Sequence, residues 1–110
     1  MNKVFSILLA GAALAGAPAT QTFTSVITDH MCAETGHASM RMGPTDAECT
    51  IACVDAHGAQ YVLLTGKTIY NLSDQQLPAT FAGARVKVTG TLDPKTKTIT
   101  VKAIRPWRPS

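Results

Sequence analysis

The sequence predicts a mainly β fold, a small five-stranded barrel into which a helix is inserted. Three observations predict it. Short runs rich in β-branched residues, alternating apolar with polar, recur along most of the chain. Glycine-bearing turns separate them, and only residues 46–57 carry strong helix start and stop signals.

The first strand is residues 22–28, Thr-Phe-Thr-Ser-Val-Ile-Thr, and it stops at Asp29-His30-Met31-Cys32. Residues 33–44 lose all periodicity and hold Gly, His, Ser, Met and Arg, which predicts a loop. Thr45-Asp46-Ala47-Glu48 then forms a capping box, in which hydroxyl and carboxylate each satisfy a backbone N–H that the helix cannot. The helix should end at Gly58 in a left-handed turn. At 100° per residue Ala47, Ile51 and Val54 share one face, expected to pack on the core. Cys49, Cys53 and His57 share the other, expected to face the loop that carries Cys32, His37, Met40 and Met42.

Residues 61–64 and 68–72 flank Thr65-Gly66-Lys67 as a hairpin. Ser73 is placed to cap a short helical turn, broken at Pro78 and closing near Gly83. Residues 85–92 alternate, with Val86, Val88 and Leu92 inward, and residues 98–104 alternate again with Ile99 and Val101 on one face. Strand, strand, strand, short helix, strand, strand is the order of an OB-like five-stranded barrel, and Gly90 suits the bend such a barrel needs. The helix at 46–57 is then an insertion between strands 1 and 2, and the short helix lies between strands 3 and 4.

Residues 1–19 read as a secretory signal peptide. Lys3 precedes an uncharged stretch rich in Ala, Leu and Gly, and Ala17-Pro18-Ala19 supplies the small-x-small cleavage pattern. The stretch is shorter than the about 20 apolar residues a spanning helix needs, so no transmembrane segment is expected in the mature chain. Cleavage leaves residues 20–110 as one domain, secreted or periplasmic. A domain of that size builds a small core and gains from a disulfide or a metal. The formal net charge of +3 over the whole sequence, part of it from Lys3, is too small to imply a polyanionic partner. The tail Arg105-Pro106-Trp107-Arg108 could stack and bind phosphate, but few aromatics surround it, and nucleic acid is not an expected partner.

The sequence holds three cysteines, an odd number, so at least one thiol is left over if two of them pair within a monomer. Two uses compete. In an oxidising compartment Cys32 pairs with Cys49 or Cys53 and staples the first strand to the helix. Cys49 and Cys53, one helical turn apart, are too far apart to pair with each other. Alternatively the thiols, with His37, hold a soft metal ion such as Cu(I) or Zn²⁺, because thiolate, thioether and imidazole are donors those ions favour. The most economical ligand set is Cys32, Cys49, Cys53 and His37, with Met40, Met42 and His57 as additional donors. Cys49 and His57 cannot serve one ion, being about 12 Å apart along a helix. No C-x-x-C redox pair, Gly-x-Ser-x-Gly elbow or phosphate loop is present, so a binding module rather than an enzyme is expected.

Asp29-x-x-Cys32 after the first strand, Cys49-x-x-x-Cys53-Val54, Tyr61-Val62-Leu63, Gly83-x-x-Val86-x-Val88-x-Gly90 and Ile99-x-Val101 together resemble a family of small exported bacterial proteins with an OB-like fold and uncharacterised role. The resemblance implies that fold and an envelope location. It implies no activity; the expected partner is a metal ion or, with the cysteines paired, an unidentified protein, glycan or small ligand.

Overall fold

In a computed structural model of the chain, residues 19–38 and 41–108 are described. The expected signal peptide, apart from Ala19, lies outside them, as does Met40. Five strands form one mixed sheet that closes in a ring: β1 (Gln21–Asp29), β2 (Tyr61–Thr65), β3 (Thr68–Leu72), β4 (Arg85–Asp93) and β5 (Thr98–Pro106). The order around the ring is β1-β2-β3-β5-β4, and only the β3–β5 pairing is parallel. Two helices, α1 (His30–Thr35) and α2 (Asp46–His57), lie between β1 and β2 in the chain, and a 3-10 helix (Leu77–Phe81) lies between β3 and β4.

β1 closes the ring by serving two neighbours. Gln21 to Val26 pair with β4, and Val26 to Asp29 pair with β2. Alternate residues of each strand point inward, and Ile27, Leu63, Val86, Val88 and Ile99 are completely buried in one core with Tyr61, Leu72 and Ile104. Each such aliphatic side chain contributes about 1.5–3 kcal/mol by leaving water. At Thr89/Gly90 the register with β5 shifts. A Cβ on Gly90 would collide with the Thr100 carbonyl oxygen and stand 2.9 Å from Ile99 Cγ2, so the irregularity requires glycine.

Three local expectations are corrected. Residues 30–35, expected to be strand end and loop, are helical. Asp29 causes this: its carboxylate accepts from the backbone N–H of Cys32 at 3.1 Å and caps α1. Cys32 therefore sits on a helix, where it is buried. On α2, Val54 packs on the core and Cys49 and Cys53 face Cys32 and Met42 as expected, but Ile51 turns outward. Ile51 is 39 % exposed, whereas Cys49 and Cys53 are completely buried together with Thr50. The cysteine face packs inward because a second buried cluster, formed by Cys32, Cys49, Cys53 and Ala59 with Met31, Met42 and Val54 against it, fills the space between α1, α2 and the ring.

The third correction concerns residues 73–78. The N-cap position is Gln76, without a side-chain cap, and it is Asp74 whose carboxylate accepts from Gln76 and Leu77 N–H at 2.9 and 3.0 Å, turning the chain into the helix. The Ser73 hydroxyl instead accepts from Val101 N–H. Pro78 lies inside the 3-10 helix near its start, where a missing N–H costs little. Gln75 does unexpected work: it accepts from Tyr61 N–H at 2.7 Å and donates to the carbonyls of Tyr61 and Leu72. Among the described residues no helix is long and apolar enough to cross a membrane.

Candidate metal centre

The site is assembled by four pieces of chain. α1 follows β1 directly, and the Asp29 cap sets its first turn, which brings Cys32 beneath α2. There the Thr45 hydroxyl accepts from Glu48 N–H, and Gly58 ends the helix at φ 65°. Cys49 and Cys53, one turn apart, both face Cys32. The loop before α2 approaches closely because of Gly43: a Cβ there would stand 2.8 Å from Glu48 Cβ and 3.2 Å from Cys49 N. That approach puts Met42 over the cysteines.

Cys32 Sγ lies 3.7 Å from Cys49 Sγ and 3.8 Å from Cys53 Sγ. None of the three is in a disulfide. Met42 contributes twice: its backbone N–H donates to Cys49 Sγ at 3.3 Å, and its Sδ accepts from the Cys53 thiol at 3.5 Å. His37, in the loop that follows α1, has Nε2 3.3 Å from the Thr28 hydroxyl, which in turn meets the Thr50 hydroxyl of α2 at 3.4 Å. Two groups of potential ligands result. Cys32, His37 and Cys49 have donor atoms within 4.8 Å of one another, and so do Asp29, Cys32 and Cys53.

Burial pushes the Cys53 thiol up from its ordinary value. It does the same to Cys32, much more strongly, aided by the neighbouring Asp29 carboxylate and the other two thiols. Cys32 and Cys53 therefore hold their protons more firmly than an exposed thiol does. The donor set itself is suited to a cation. Cys, His and Asp are the side chains that bind Zn²⁺, and thiolate with thioether suits Cu(I).

Of the ligands expected from sequence, Cys32, His37, Cys49, Cys53 and Met42 come together. His57 does not: it is exposed in the last turn of α2. His30, next to the cluster in sequence, is engaged elsewhere, with Nδ1 accepting from Gln60 N–H at 3.2 Å. Asp29, Thr28 and Thr50 belong to the site and were missed. Asp29 is completely buried, a rare state for a carboxylate, and its only advance signal was the Asp-x-x-Cys spacing typical of a helix cap. A cavity of about 520 Å³, lined in part by Thr28, Cys32, His37 and Arg85, opens beside the cluster. Arg85 stacks on Trp107, the guanidinium carbon 5.3 Å from the ring centre. No protein-family model, curated protein or solved structure matches the chain.

Proposed function

We propose that this chain is an exported metal-binding module that takes a thiophilic ion, Zn²⁺ or Cu(I), at Cys32, Cys49 and Cys53 with His37 assisting, for sequestration or delivery in the cell envelope. The strand ring is read as an OB-like barrel, with α1 and α2 as the insertion that carries the site. The observation that carries the proposal is the spacing of the sulfurs, 3.7 and 3.8 Å from Cys32 to its two neighbours. Four ligands at a Zn–S distance of about 2.3 Å lie about 3.8 Å apart along the edges of a tetrahedron. The two sulfur–sulfur edges at Cys32 already match that spacing.

Donor chemistry favours Zn²⁺, since imidazole and carboxylate flank the sulfurs. The Met42 thioether supports Cu(I) as the second choice. The test is uptake by reduced, metal-free protein, counted by elemental analysis after desalting. Retention of at least one ion per chain is expected, and its loss in a Cys49→Ala/Cys53→Ala double variant. Equal retention by the double variant overturns the site.

A second reading rests on the same contact. At 3.7 and 3.8 Å the Cys32 sulfur is not at bonding distance from either helix cysteine, but oxidation with movement of the side chains would give a stapled barrel binding a protein, glycan or small ligand at the cavity. Thiol titration of protein purified without reductant separates the two. One reactive thiol after denaturation indicates the staple, and three that metal protects indicate the ion site.

A further inference from the structure

Burial makes the number of ions a question of charge. The three thiolates and the Asp29 carboxylate would place four negative charges in one small volume, where Cys32 is 3 % exposed and Asp29, Cys49 and Cys53 are not exposed at all. One divalent ion compensates two of those charges, and a thiol that binds no ion keeps its proton. Two divalent ions bring the set to neutrality.

The geometry divides the donors in the same way. The two ligand groups, Cys32 with His37 and Cys49, and Asp29 with Cys32 and Cys53, have Cys32 in common. Each contains one buried polar atom that has no hydrogen-bond partner among the described residues: His37 Nδ1 in the first and Asp29 Oδ1 in the second. Such atoms are uncommon in folded proteins, since a buried polar group without a partner forfeits the hydrogen bonds it made to water. Here the two belong to different ligand groups that share Cys32.

Resting on the metal-binding reading above, we propose that the centre holds two zinc-class divalent ions bridged by the Cys32 thiolate, an outer one on His37 and Cys49 and an inner one on Asp29 and Cys53. The outer ion borders the cavity lined by Cys32 and His37, which leaves it a coordination position open to solvent. The inner ion is enclosed on all sides, with Met42 Sδ close to its Cys53 ligand. Loading releases three protons, one from each thiol, and no electron is transferred: two Zn²⁺ replace three H⁺.

The test is a titration of the reduced, metal-free protein with Zn²⁺, with bound ions counted by native mass spectrometry and proton release followed in weak buffer. Wild type should saturate at two ions and release about three protons. Asp29→Asn preserves the helix cap, since Asn caps as well as Asp, and should stop at one ion; so should His37→Ala, whose side chain is only partly buried. Cys32→Ala should lose both. Saturation of wild type at one ion overturns the two-ion centre and leaves the metal-binding reading intact. Failure to bind any ion overturns both. Two ions that persist in folded Asp29→Asn or His37→Ala, folding being checked by circular dichroism, overturn the ligand assignment and with it this proposal.

Discussion

Cys32 Sγ and Cys49 Sγ are 3.7 Å apart although seventeen residues of chain separate them, one on the short helix that ends β1 and the other at the inner face of α2. The contact joins the two helices to each other and makes Cys32 the hub of the cluster, since the thiol of Cys53 reaches the same sulfur. An ion bound there must therefore stabilise the whole fold. At a Zn²⁺ concentration about 100 times Kd the gain is about 2.7 kcal/mol, which for a domain of this size raises Tm by roughly 10–20 °C. Calorimetry with and without Zn²⁺ should show that rise in wild type and none in Cys32→Ala.

Metal uptake should be steeply dependent on pH. The Cys32 and Cys53 thiols are raised by burial, so the ion must displace protons that the apo protein holds firmly. Each proton displaced weakens apparent affinity by up to about tenfold per pH unit as pH falls. Competition with a chromophoric chelator between about pH 6 and 8 measures the slope, and a pH-independent affinity would place the ion on other ligands.

His57→Ala should leave metal affinity unchanged. The residue is exposed in the last turn of α2, where a histidine interacts with the helix dipole but not with the sulfurs. The expected cost in folding stability is about a few tenths of a kcal/mol at most, checked by urea unfolding. Loss of metal affinity would mean that the helix rotates on binding.

Gln75→Ala should cost about 2–3 kcal/mol without touching the site. The side chain satisfies the backbone N–H and carbonyl of Tyr61 and the carbonyl of Leu72, and truncation leaves those groups without it in a partly buried place. The urea midpoint should fall with an unchanged slope. Gly90→Ala should be comparably damaging for a different reason, since its Cβ meets the Thr100 backbone, which cannot move aside as a flexible side chain would.

Asp74 should contribute stability through its charge in one pH window. Backbone N–H groups of Leu77 and Gln76 hold its carboxylate below the ordinary 3.8. A pKa depressed in the folded state stabilises the protein above the unfolded value, and that contribution is lost as pH falls through the folded one. The difference in urea midpoint between wild type and Asp74→Asn should be constant above about pH 5 and shrink as pH falls below 3.8.

The five strands were legible because each buries one face: alternation in residues 85–92 and 98–104 follows from a period of two that any half-buried strand must show. The α2 boundaries were legible from the same kind of local chemistry, a capping box at Thr45 and a glycine at 58. The short helix α1 was not, because six residues carry too little periodicity to register and its cap, Asp29, reads equally well as a strand end. Ile51 was misplaced for a related reason. Ile51 outranks cysteine on a hydropathy scale, but the partner offered to α2 is a sulfur cluster with room for Cys49 and Cys53, and packing against a real neighbour overrides the scale.

Residue types and local spacing thus carried the β class, the helix ends and the list of donors Cys32, His37, Cys49, Cys53 and Met42, all of them consequences of interactions within a few residues along the chain. Which donors meet was decided only by closure of the ring and the Asp29 cap, which bring β1, α1 and α2 together. Those contacts span many residues, so no local pattern encodes them. They excluded His57, admitted Asp29 and gave Cys32 two sulfur neighbours.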